Sequence, residues 1–466
     1  MKRFLLCITM LCLLATTLKA QTITWTGAGD GTNWSDPDNW DLLAIPTIEN
    51  DVIIPNGSIV NINNNQDPNK YQVPTKSITV KGNSVLTLDI GISYSEPSSF
   101  EENVTVNWYL GPITTNYPYD GVTFTNKGII NINRLVPSFA APQFWGTIFN
   151  NEGVVNLING FLISSNYEVN NQSTGIIDIQ SDNSGISGGI SGTATLNNYG
   201  TIKKTIGTGA SKISAVMENM GIIEILTGEL YFRDNSFNNT TEGAIKGTGA
   251  FNASQLASYS NSGTFEPGAS PGTLTFIGDF TSTATSKLDI ELNGLTPGTE
   301  YDLLVIEGNA IFNGVVNVTM GFEGSLNDEF IVATTTGTIT ECNLAPVVTA
   351  EYNGNVYDFT VACRNNNKVV LTIANITLDI DSNELTYKNI QLFPNPIRNS
   401  LTLRNNSNQE LKSASIIDLN GRVVKEIDLK GMLKDKVISL RSYDTGIYLI
   451  KVISNNNSII KKIVKL

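Results

Sequence analysis

The chain has 466 residues, a formal net charge of −13, 16% charged residues, 40 glycines and no histidine. That length exceeds one ordinary compact domain, so several domains or an elongated repeat is expected. Low charge with frequent Gly, Asn and Thr fits a β-rich exposed protein and not a helical enzyme, and the acidity disfavours nucleic acid and anionic lipid as partners.

Met1, Lys2 and Arg3 precede an apolar run from Phe4 to Leu14 and a small-residue ending at Ala20. This is the order of a secretory signal, so residues 1–20 are expected to be removed. Cys12 follows Met10 and Leu11, not a small residue, which disfavours lipid attachment there. No later stretch approaches eighteen apolar residues, so no transmembrane segment is expected in the mature chain.

Residues 21–120 read as a Trp-rich N-terminal cap with the first coils. Trp25, Trp34 and Trp40 can plug the end of a coil stack, close to Asp30, Asn33, Asp36 and Asp38. Those acids have the oxygens calcium wants, but their spacing matches no EF-hand loop and suits turns. Trp25, Gly27, Trp34, Asp36, Pro37, Asn39, Trp40 and Pro46 resemble the opening of many large bacterial surface proteins and adhesin-like β-helices. Residues 92–120 and 134–146 lose the repeat described next and gather aromatics. Trp108, Tyr109 and Trp145 are therefore the candidate contacts for a glycan.

From residue 121 to 275 one unit is printed seven times, with glycines at Gly128, Gly153, Gly175, Gly200, Gly221, Gly243 and Gly263. Spacings of 20 to 25 residues, averaging about 22, signal a solenoid, and the strand-like composition makes it a right-handed, three-faced parallel β-helix. Two residues after each glycine stand Ile130, Val155, Ile177, Ile202, Ile223, Ile245 and Phe265, an inward column. Asn126, Asn151, Asn171, Asn198, Asn219, Asn239 and Asn261 recur in one phase and can stack as an amide ladder. The glycines are expected to supply a positive φ or a tight corner. Three residues after them, Asn131, Asn156, Asp178, Lys203, Glu224, Lys246 and Glu266 form an outward row, alternating in sign over the last five. Asp178, Glu224 and Glu266 are thus expected to be ladder members and not catalytic carboxylates.

Residues 276–376 read as a closing β-rich segment in which Cys342 and Cys363 form a structural disulfide, as suits an exported protein. Gly263, Pro267, Gly268, Ser270, Pro271, Gly272, Leu274, Gly278, Asp279, Tyr301, Asp302 and Gly308 resemble the closing segment of autotransporter passenger β-helices. A polar linker covers 377–388.

Charge then changes sign: residues 386–466 hold 14 Lys+Arg against 6 Asp+Glu, whereas 21–385 hold 13 against 37. Short alternating strands separated by Pro-Asn-Pro, Asn-Gly and Thr-Gly turns make 389–466 an independent small β-sandwich. It resembles the type A C-terminal sorting domain of the type IX secretion system, in Phe393, Pro394, Asn395, Pro396, Asp418, Gly421, Arg422, Gly446, Tyr448, Lys461 and Lys462. The resemblance implies export to the cell surface or the outside, with the secretion machinery and its sorting peptidase as partners and attachment to an anionic lipopolysaccharide. An adhesin-like structural protein meeting a glycan or matrix is the expected function, without enzymatic activity, cofactor or metal. A β-helix carbohydrate-active enzyme and a passive stalk or surface-layer element are the alternatives.

Overall fold

The computed structural model describes residues 21–63, 71–116, 121–134, 141–165, 167–182, 184–188, 194–378, 389–407, 409–454 and 457–466. The signal segment and residues 379–388 of the expected linker lie outside them, while Thr377 and Leu378, also expected in the linker, end the strand Lys368–Leu378. The chain forms two compact units. The first runs to Ala350 and resumes over Asp358–Ala374; the second comprises Glu351–Tyr357 and Asn375–Leu466.

The first unit is a three-faced parallel β-helix. Among the described residues its strands assemble into sheets of 11, 14 and 15 strands, and each coil adds one strand to each sheet. In the coil of the second repeat, Thr147–Asn151 lies on the first face, Val154–Asn159 on the second and Phe161–Ser165 on the third. Successive coils pair in parallel and in phase, so Val155 stacks on Ile130 and under Ile177. The whole expected column from Ile130 to Phe265 is buried. Burial of six β-branched side chains in one register, each contributing about 1.5–3 kcal/mol, fixes the phase of every coil.

The asparagine column lies inside, at the corner between the first and second faces. Asn126 Nδ2 donates to Asn151 Oδ1 at 2.8 Å, and the pattern repeats through Asn171, Asn198, Asn219 and Asn239 to Asn261 at 2.7–2.8 Å. The second N–H turns to main-chain carbonyls, as when Asn151 reaches Gly153 and Ile176 at 3.2 Å. Amides therefore add a second donor to corner carbonyls such as that of Gly153, which also accepts from Ile176 N at 2.8 Å, and in doing so pair their own buried N–H groups.

Of the two roles expected for the glycines following this ladder, positive φ does not occur and the tight corner does. Their requirement is close approach. A Cβ at Gly153 would sit 2.2 Å from the carbonyl oxygen of Gly128, and at Gly200 2.2 Å from that of Gly175. The corners of adjacent coils touch backbone to backbone, leaving no space for a methyl group.

The β-helix also starts earlier than the sequence repeat. Ser98–Phe100, Thr105–Trp108 and Pro112–Thr115 occupy the three faces, so residues 92–116 form a regular coil and not an interruption. Phe100 stands in register with Asn126, and Trp108 with Ile132. Aromatics replaced the amide and the aliphatic at inward positions, which erased the motif and kept the fold.

Three tryptophans pack together at the start of the stack. Trp34 and Trp40 pack edge to face with centroids 4.8 Å apart, Trp25 adds to Trp40 at 5.1 Å, and all three are buried. Trp34 N and Thr32 O pair with Asn61, covering the free edge of the second face. At its far end the parallel order stops where Glu329–Thr335 pairs antiparallel with Lys368–Leu378, and Cys342 and Cys363 are joined by a disulfide.

The second unit holds an antiparallel three-stranded sheet (Ile390–Phe393, Ser400–Asn405, Asp435–Ser439) and a four-stranded one (Val423–Asp428, Leu411–Ile417, Gly446–Ser454, Ser458–Lys465). Ile390, Leu401, Leu403, Ile416, Ile450 and Val452 fill the core between them.

Candidate functional site

Among the aromatics singled out on the β-helix, Trp108 is fully buried, packs edge to face on Phe144 at 5.2 Å and donates from Nε1 to Gly111 O at 2.8 Å. It belongs to the core, which corrects its assignment as a ligand contact. Tyr109 is half-buried, and Trp145 is exposed on the third face. Residues 117–120 and 135–140 of the two aromatic segments lie outside the described residues. The N-terminal acids serve as turn acceptors. Asp30 takes bonds from Thr32 N, Asn33 N and Asn39 Nδ2, holding its carboxyl well below the usual range. No group of three or more acidic or sulfur ligands suited to a metal occurs among the described residues.

The outward row on the second face forms as a ladder. Lys203 reaches Asp178 at 3.8 Å and Lys246 reaches Glu224 at 3.5 Å, while Asn156 Nδ2 donates to Asn131 Oδ1 at 2.9 Å. The alternation then fails. The coil after Glu266 pairs Thr264 with Lys287 and Phe265 with Leu288, so the next row position is Asp289. Burial raises the Glu266 carboxyl, Asp289 adds repulsion, and Lys246 offsets part of it.

A concavity of about 530 Å³ opens here, lined by Glu224, Lys246, Glu266, Asp289, Glu291 and Asp302 with the turn Pro267–Ser270. Asp302 is 5% exposed, and burial pushes its carboxyl up to about 6. Its oxygens accept from Gly272 N at 2.9 Å and Glu291 N at 2.8 Å, so it clamps the turn to the sheet. Glu266, Asp289 and Glu291 line the same concavity, Asp289 accepting from Asn317 Nδ2 at 2.7 Å and Glu291 from Asn293 Nδ2 at 3.0 Å. Sequence reading reached Glu224 and Glu266 as row members and Asp302 as part of the closing segment, but not Asp289 or Glu291, which arrive from a later coil through the strand register.

In the C-terminal unit the motif residues are turns and a clamp. Asp418 Oδ1 accepts from Asn420 N at 3.0 Å and Arg422 N at 2.9 Å, Oδ2 accepts from Arg422 Nε at 3.1 Å, and Gly421 between them has φ +82°. The Arg422 backbone bond, ahead of its guanidinium, holds the Asp418 carboxyl below its usual value. Both X-Pro bonds of Phe393–Pro396 are cis. Asn395, between those two prolines, bonds to Lys462 O and Val464 N. Lys461 Nζ bonds to Ile390 O, and Tyr448 OH to Asp444 O at 3.0 Å. Gly446 opens the strand that carries Tyr448, and Lys462 is exposed beside Leu449. First and last strands of the unit are thereby tied together.

Residues 391–466 match the secretion system C-terminal sorting domain. No curated protein sequence matches the chain. The sorting domain supports export through the type IX secretion system and a surface or extracellular destination. No helix among the described residues is long and apolar enough to cross a membrane.

Proposed function

We propose that this chain is an exported surface β-helix whose coil stack acts as a structural, adhesin-like element and whose sorting domain, of type A, directs export. In this reading the sorting peptidase removes that domain as the body is joined to an anionic lipopolysaccharide. The supporting observation is a stack filled by its own side chains from Trp34 to Phe312, closed at the start by three tryptophans, and followed along the chain by a C-terminal sorting domain. Such an interior has no room for a substrate, so the work of the body lies on its outer faces, against a glycan or matrix. The test is fractionation of producing cells, with the mass of the surface product. A product lacking about the last 80 residues and bound to lipopolysaccharide is expected; retention of the full chain inside the cell would overturn the reading.

The acidic concavity favours one second reading, a carbohydrate-active enzyme. Glu266, raised by burial, would donate the proton, with Asp289 or Glu291 beside it in the concavity as the second carboxylate. Turnover of a polysaccharide panel that disappears in Glu266→Gln would establish it; equal behaviour of both proteins would remove it.

A further inference from the structure

The four-stranded sheet of the sorting domain buries one side against the core, through Ala414, Ile416, Ile450, Val452 and Ile463. In a small sandwich the opposite side should be polar. Here aliphatics stand among the polar residues Ser415, Lys451 and Lys462. Ile417 pairs with Val423 and Leu449, Leu449 with Lys462, Ile447 with Val464, and Lys451 with Ile460. These registers put Ile417, Val423, Ile447, Leu449, Ile460 and Val464 on one outer surface, and none of the six belongs to the core cluster. Val423 is 49%, Ile447 39% and Ile460 51% exposed. Six aliphatics gathered on one outer side of so small a domain mark a place of contact.

We propose that this face is the docking surface by which the export machinery recognises the chain, and that the partner is a protein component presenting an apolar patch flanked by acidic side chains. The inference rests on the export reading above and names the surface that performs it. Charge selects the partner: Lys451 and Lys462 stand among the aliphatics on the last two strands, in a segment holding 14 Lys+Arg against 6 Asp+Glu. Glu426 sits on the edge strand at the other side, in register with Ser415, so the acidic complement belongs over the last two strands. Area argues against a second copy. Four strands about 4.8 Å apart and three outward rows cover roughly 300–400 Å², about half of the ~800 Å² per partner of a stable complex. A contact of that size suits recognition that must be released after export.

The experiment uses the full chain in a cell that has the export route, comparing Ile447→Asp with Ile460→Asp, Lys451→Glu with Lys462→Glu, and a deletion of residues 389–466. Both aspartate variants should lower the surface fraction at least tenfold, and both glutamate variants should lower it severalfold. Ile447→Thr with Ile460→Thr, which keeps the β-branched shape, covers the case in which aspartate prevents folding, and unfolding curves of the purified chains report that case. Export unchanged by the deletion would refute the export reading itself. Export blocked by the deletion but normal in folded face variants would overturn the docking surface alone. Loss of self-association or of binding to anionic vesicles in the variants, in step with their export, would assign the face to a second copy or to lipid and likewise overturn it.

Discussion

Asn395 and Val464, 69 residues apart, are joined by a bond from Val464 N to Asn395 Oδ1 at 2.8 Å, while Asn395 Nδ2 donates to Lys462 O at 3.0 Å. A side chain held between two prolines thus imitates a neighbouring strand and terminates the sheet edge. Asn395→Ala removes both bonds, with an expected cost of about 1–2 kcal/mol at this exposed position. Hydrogen exchange at Val464 should accelerate before exchange in the β-helix changes. Unaltered protection of Val464 would show that the clamp contributes nothing.

In the middle of the amide ladder, Asn198→Leu deprives Asn219 Oδ1 of its donor and Asn171 Nδ2 of one acceptor. Each buried group left unpaired costs about 1–3 kcal/mol. The same change at Asn261, where the ladder ends, disturbs only Asn239 and should cost less. Urea unfolding of the two variants gives the comparison; equal midpoints would deny that the ladder acts as a chain.

Glycines of two kinds separate cleanly. Gly57 has φ +81° and nothing near its absent Cβ, so Gly57→Ala should cost about 1 kcal/mol from the backbone alone. Gly200→Ala has no such φ penalty, but its methyl group would meet Gly175 O at 2.2 Å and Gln172 O at 2.3 Å. It should destabilise more than Gly57→Ala, by the cost of parting two coils. The reverse order in thermal unfolding would return the corner glycines to a conformational role.

Lys203 lies in register between Asp178 and Glu224. Lys203→Glu places three carboxylates in a row and should destabilise by about 1 kcal/mol at low salt, with Lys203→Gln intermediate. High salt should recover much of the loss, because the row is partly exposed. A salt-independent loss would point to packing instead.

For Asp302 the folded-state value near 6 lies above the ordinary 3.8, so the fold prefers the protonated form. Stability at this clamp is therefore greatest below about 4, falls as pH rises through about 6, and is level above it. Exchange at the Gly272 and Glu291 amides, corrected for intrinsic rates, should show more opening at pH 7.5 than at pH 5. Equal opening free energies at the two values would contradict the burial of this carboxyl.

Much of the body was legible because a solenoid repeats its physics. Each coil must present the same inward column, and Ile130 to Phe265 could be aligned by eye without any contact known. The coil of residues 92–116 escaped notice for the converse reason: Phe100 and Trp108 fill the same inward space as Asn126 and Ile132 with different chemistry. Trp108 misled for that reason too, since an aromatic in a segment without a motif reads as surface until its neighbours are known. The sorting domain was legible through its resemblance to a known family, carried by local turns such as Asp418–Arg422, but the aliphatics of its outer face depend on strand pairings that no spacing prints.

The sequence by itself determined the period, the inward column, the amide phase, the disulfide partners and the nature of the last domain, because each depends on residues close in the chain or repeated along it. Tertiary structure alone decided where the row of alternating charge breaks at Glu266 and Asp289, why the corner glycines are needed, and which aliphatics of the sorting domain face solvent. Those are relations between backbones and side chains brought within a few ångströms by stacking and pairing. Their energies depend on distance and burial, which residue order does not contain.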